Sequence, residues 1–248
     1  MHFMLLKKRK QSSHVLAYLI MFHKHYLKII FAAILIIGLY STPVLAAGPV
    51  ARSDILLHIA TQCVDSSLEN YCSQCMSPRL EGHCGVNECK KTTDVWASND
   101  QFMAMRDIKM CGCPSGFVHG LAIPRTVVRG VEDPKKPEAI WQFAWETALK
   151  KIEPESIALV VNPQAHRSQN QLHVHLLRLS GNAREKLAQN TPSFVDNLEH
   201  VWAAANRAAA AQGLSDYGVL VAQTGSHRFM VVVTEFSPES AFTEWACY

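Results

Sequence analysis

An α+β domain, an antiparallel sheet with helices packed on it, is what this sequence predicts, and three stretches predict it. Gln171 to Leu179 alternates with period two. Gln171, His173, His175 and Leu177 share one face, and the apolar Leu172, Val174 and Leu176 share the other. Ile140, Phe143, Ala144, Thr147 and Ala148 recur at the i, i+3, i+4, i+7, i+8 spacing of a helix with one buried stripe. Two β-rich runs, Tyr217 to Gln223 and Arg228 to Thr234, flank Thr224-Gly225-Ser226 and read as a hairpin.

The remaining elements follow in order. Residues 53–62 suit a short helix with Ser53 as N-cap. Residues 63–93, rich in Cys, Gly, Ser, Asn and Pro, read as a stapled loop region. Residues 94–98 and 102–106 pair around Asn99-Asp100. Residues 117–128 are extended, with Pro124 marking a bend or an edge. Asp133 with Pro134 predicts the start of the helix that runs to about Lys151. Ile157 to Val161 is a β-branched strand. Asn197 to Gln212 is a second helix, closed by Gly213.

The totals bound the function. A chain of 248 residues, 48% hydrophobic, suffices for one domain with a real core. Its +3 charge misleads. Lys7, Lys8, Arg9, Lys10, Lys24 and Lys28 all precede the first acid, Asp54. Without those six, 18 basic residues of the 24 face 21 acids, so no basic face supports nucleic-acid binding. All six precede an apolar run, Ile29 to Tyr40, which is followed by Ser41-Thr42-Pro43 and small residues to Ala47. Twelve helical residues reach only about 18 Å, short of a bilayer core. The segment 1–47 is therefore a cleaved signal or, extended to Ala47, an anchor. Met21 is an alternative start.

Eight cysteines agree with export. Disulfides are the expected use. The rival is a zinc site from Cys72, Cys75, Cys84 and Cys89, whose spacing fits loosely. Cys247, beside the C-terminus, is expected to reach back to the Cys63 region. Three segments result: 1–47, a Cys-rich part 48–115, and a catalytic part 116–248.

Two imidazoles on one strand face gain no packing from burial, so they are either bonded structurally or aimed into a pocket. Two segments decide for a pocket: V-H-G-L-A-I-P-R at 118–125, and V-N-P-Q-A-H-R-S-Q-N-Q-L-H-V-H at 161–175. Together they resemble the histidine-triad superfamily. A-I-P-R-T-V-V-R-G-V-E-D-P, the W-x-x-A-W helix, A-L-V-V-N through H-x-H, and D-Y-G-V-L-V resemble, more closely, the CDP-diacylglycerol pyrophosphatase family. The resemblance covers most of residues 117–235 and implies a histidine-triad-like antiparallel sheet. It also implies hydrolysis of CDP-diacylglycerol to CMP and phosphatidate through a nucleotidyl-histidine, without cofactor or metal.

The chain departs from the triad in having two alternating histidines. In the ungapped register from Asn162, His173 is first, His175 is the middle residue and nucleophile, and Leu177 replaces the last. A shifted register puts Gln171 first and His173 in the middle. The ungapped register selects His175 to attack, with His173 as partner. Asn162, Gln169, Asn170 and Gln171 are neutral donors suited to ribose and phosphate oxygens. His166 and Arg167 lie in the same loop. His119 reads as structural, Arg178 as a solvated strand end or a rim ion pair, and Trp141 and Trp145 as core packing, with a lipid-facing patch the alternative. The resemblance implies a lipid substrate and a membrane setting, with the catalytic part periplasmic at the inner membrane, and leaves a homodimer open. Rival readings are a triad enzyme on another nucleotide and a stapled exported binding protein.

Overall fold

The computed structural model describes residues 53–64, 93–225 and 228–247. The N-terminal apolar run and most of the Cys-rich segment lie outside them. Residues 51–248 form one compact unit. Its centre is an eight-stranded, wholly antiparallel sheet, as the α+β reading expects. The strands are β1 (Val95–Ser98), β2 (Phe102–Arg106), β3 (His119–Pro124), β4 (Ile157–Val161), β5 (Val174–Arg178), β6 (Ser193–Val195), β7 (Gly218–Thr224) and β8 (Arg228–Thr234). The order is β1-β2-β3-β5-β4-β7-β8-β6, so the histidine strand is central. Four of its five residues are buried.

The helices are α1 (Ile55–His58, continued by a π turn, Ile59–Cys63), α2 (Ala139–Ala148), α3 (Ala183–Ala188), α4 (Val201–Gln212) and α5 (Pro238–Phe242). Helices α2 and α4 cover one face. Ile140, Trp141, Ala144, Trp202 and Ala205 pack there with Val174, Leu176, Leu159 and Val221. Trp141 is 0% exposed and lies 4.7 Å from the Trp202 ring, so the tryptophans of α2 serve the core. The other face carries two separate clusters. One joins α1 to Met103, Met105, Leu121 and Ile123. The other joins Leu187 of α3 and Phe242 of α5 to Val160, Leu177, Leu220 and Val232.

Some elements differ from expectation. α2 begins at Ala139, because Pro137 disfavours helical geometry before it. The Asp133 carboxylate instead closes a turn, accepting from Arg129 N and Lys135 N. Ser53 Oγ accepts from Ile55 N, while the N-cap position itself is Asp54. Pro124 ends an interior strand, at its bend, rather than an edge. Strand β6 and helices α3 and α5 were not expected. Arg178 does pair at the rim, with Glu153. Cys247 bridges to Cys113, not to the Cys63 region, with Cα atoms 5.7 Å apart. Cys63 and Cys111 are also disulfide-bonded, and no described cysteine is free. Among the described residues no helix is long and apolar enough to cross a membrane.

Candidate active site

Strand register explains why two histidines are buried. Met105 pairs with Leu121, Leu121 with His175, His175 with Val160, Val160 with Leu220, and Leu220 with Val232. This row crosses the sheet on one face. Its left end belongs to the α1 cluster and its right end to the α3/α5 cluster. His175 sits at the junction, where neither cluster covers the sheet. A pocket of about 320 Å³ opens there, reached by His173, His175, Asn162 and Gln169.

Three strands converge on His175. His119 of β3 pairs with Leu177, so its ring lies diagonally from His175 on the same face. His119 Nδ1 bonds the Trp245 carbonyl at 3.2 Å, and His119 Nε2 lies 2.9 Å from His175 Nδ1. A carbonyl only accepts, so His119 Nδ1–H donates to it, His175 Nδ1–H donates to His119 Nε2, and His175 Nε2 is left as an acceptor. Asn162, just past β4, donates to that nitrogen from Nδ2 at 3.4 Å. Both nitrogens of His175 are thus engaged.

His173 differs. Its Nδ1–H donates to the Gln171 carbonyl at 2.8 Å, which fixes the tautomer with the lone pair on Nε2. Among the described residues nothing bonds that Nε2. The ring stands edge-on to His175 at 4.8 Å. Burial holds both imidazoles below the ordinary histidine value, His175 well below it, against the opposing field of Glu239; for His173 the Gln171 carbonyl also opposes. His119 is lowered likewise by burial, although Asp107 and Glu239 pull it upward. All three are neutral at pH 7.

An acid that the sequence reading missed lies behind them. Glu239 of α5 is 6% exposed. Its Oε1 accepts from Lys109 Nζ at 2.6 Å and its Oε2 from Asn162 Nδ2 at 2.5 Å. Burial opposes its ionisation, but the fields of His175 and of the Lys109 ammonium outweigh that and hold the carboxyl at about 2. Ser237-Pro238 was a legible helix start, since Ser237 Oγ accepts from Ser240 N and Pro sits in the first turn. What could not be read was that a five-residue helix so far along the chain returns to β4. Asp107 and Lys109, just past β2, were missed for the same reason.

Of the expected donors, Asn162 and Gln169 reach the pocket. Gln169 Oε1 is buried without a partner, so it awaits a donor. Asn162 is bound already, its Oδ1 accepting from Ser237 Oγ. Asn170 and Gln171 do not line the pocket. The Asn170 amide donates to Asp54 Oδ1 at 2.7 Å, tying the loop to α1. Gln171 Nε2 donates to the Pro124 and Thr126 carbonyls, and its Oε1 accepts from Val128 N. Strand β5 starts only at Val174, so Gln171 is turned into the 124–128 loop instead of sharing the histidine face. His166 and Arg167 do line the pocket. Arg167 grips Glu132 with both terminal nitrogens, passing over Gly130 where a Cβ would collide with it; φ there is +74°.

Asp107, His119 and His175 also bring ligand atoms within 4.8 Å of one another. That donor set suits a divalent cation. The two imidazoles are accounted for by the hydrogen-bonded chain from Asn162 to Trp245.

A central strand that presents neutral imidazoles beside an ion pair and an unpartnered amide oxygen has the equipment of a hydrolase acting on a phosphoric anhydride. Residues 106–207, from the end of β2 into α4, match the model of the CDP-diacylglycerol pyrophosphatase family. Over that stretch the chain is similar to this family, and the match supports hydrolysis of the pyrophosphate bond of CDP-diacylglycerol. Both site histidines, His119, Asn162 and Lys109 fall inside the match; Glu239 and Trp245 fall outside it.

Proposed function

We propose that hydrolysis runs through a cytidylyl-histidine on His173, which exchanges the roles that the ungapped register gave to the two histidines. The observation that carries this is the His173 ring itself. Its Nδ1–H is held by the Gln171 carbonyl while Nε2 keeps a lone pair and no protein partner among the described residues. His175, bonded at both nitrogens, has no lone pair to spare.

In the first step His173 Nε2 attacks the phosphorus that carries cytidine. The bond to the bridging oxygen breaks, and phosphatidate leaves with that electron pair. The Gln171 carbonyl steadies the positive charge that develops on the ring. In the second step water attacks the same phosphorus, the N–P bond breaks, CMP departs, and the water's proton passes to solvent. The free Gln169 Oε1 accepts from a ribose hydroxyl or the cytosine amine. The lipid product, the N-terminal apolar run and the disulfides support a membrane-associated enzyme whose catalytic unit works outside the cytoplasm.

The test is to incubate purified protein with CDP-diacylglycerol labelled in cytidine, quench at alkaline pH and map the adduct. Label on His173, and loss of CMP release in His173→Ala, is the expected result. Label on His175 would restore the first assignment. CMP release without either histidine would end the covalent reading.

A further inference from the structure

The pocket has two unlike walls. Asn162, Gln169 and the histidines make one polar side, with the 166–168 loop. The other is mainly apolar, with Ile55, Leu56 and Ile59 of α1 and with Met105, Ile108 and Leu121, although Arg106, Asp107 and Lys109 interrupt it along the chain. Leu56, Ile59, Met105 and Leu121 are 5–6% exposed, whereas Ile108 is 47% exposed, an isolated apolar side chain at the rim. The walls are joined. Ser53 N donates to Ser168 O and Asn170 N to Ser53 O, at 2.9 and 3.0 Å, so α1 is pinned to the polar loop.

The substrate of this hydrolase has two unlike ends about its pyrophosphate. A cavity of about 320 Å³ is small for a ligand site. It holds a head group, and two long acyl chains must leave across an edge. From this we infer that the α1 wall takes the glyceryl-ester end of the lipid and that the chains exit over Ile108, so that Ile108 and Ile55 set the preference for a diacylglyceryl over a plain alcohol leaving group. The polar wall then takes the nucleotide, in register with the attack of His173; the inference rests on the reading given under Proposed function. Lys109, beside Ile108, forms an ion pair with Glu239 and stacks on Trp245 at 5.1 Å, which fixes the base of this rim.

The experiment compares two substrates that are both monomeric in solution, CDP-dihexanoylglycerol and CDP-glycerol, with CMP release as the readout. Wild type should prefer the first. In Ile108→Ser the ratio of kcat/KM between the two should fall about tenfold, the size of one lost apolar contact. Ile108→Leu, of similar apolar area, should keep the ratio. Because Ile108 is half exposed, its replacement leaves the core untouched. A ratio within twofold of wild type in Ile108→Ser, or no preference in wild type, overturns the inference while the hydrolase reading stands. No CMP from either substrate with wild type would overturn both.

Discussion

Replacing Glu239 by Gln keeps the shape of the side chain and removes its charge, and the structure sets the cost. Both carboxylate oxygens now accept, one from Lys109 Nζ and one from Asn162 Nδ2. An amide offers one oxygen and one NH₂ group. Whichever way it turns, a donor faces a donor. Asn162 cannot flip to relieve this, because its Oδ1 already accepts from Ser237 Oγ. A buried donor left unbonded costs about 1–3 kcal/mol. The lost ion pair adds less than a fully buried one, since the Lys109 side chain is 39% exposed and can turn to water. The total at pH 7 is about 2–3 kcal/mol. The sign with pH follows from the depressed carboxyl value, about 2 in the fold against 4.5. Stabilisation by the carboxylate is complete above pH 4.5 and is lost as pH falls towards 2. Urea unfolding of wild type and Glu239→Gln, disulfides intact, should therefore show the full gap at pH 7 and a much smaller one at pH 3. A gap under about 0.5 kcal/mol at pH 7, the ordinary range for surface changes, would refute the reasoning. So would an equal gap at both pH values.

Two further outcomes follow from the same site. Burial keeps His173 and His175 below the usual histidine value, so kcat/KM for CMP release should be flat through pH 7 and fall only below pH 6.5; an inflection above 6.5 would contradict this. The unfolded chain takes up protons near 6.5 that these rings refuse in the fold, so stability should fall with pH over the same window. Cys247→Ala, which frees the segment whose Trp245 carbonyl orients His119, should cost about 2–4 kcal/mol and slow CMP release. Unchanged activity and an unchanged unfolding midpoint would show that the Cys113–Cys247 bridge holds nothing the site needs.

Much of the sheet was legible because its strands are punctuated locally. Asn99 marks the β1–β2 turn, where its Oδ1 accepts from Gln101 N and Phe102 N. Gly213 ends α4 in the left-handed region at φ +69°. The period of β5 was legible too, but not its start. Alternation from Gln171 onward assumed an extended chain that begins only at Val174, and Gln171 is spent on the 124–128 loop. α2 shows the converse failure. Asp133-Pro134 has the chemistry of a helix start, and Pro137 three residues later overrides it.

The site shows where pattern reading stops. His173 and His175 were found because their spacing is local, and Asn162 because a strand joins it to the sheet. The order of the two histidines is not a property of their spacing. It depends on what bonds each ring, and those partners are His119 from β3, Asn162 from β4, and a backbone carbonyl two residues before His173. His119 looked structural because a lone strand histidine usually is. In the fold it faces Leu177, the position where the ungapped register lacks its last histidine, and its ring meets His175 there. The third imidazole beside His173 and His175 thus comes from a neighbouring strand, with Lys109 and Glu239 behind it, and no single motif spans these residues.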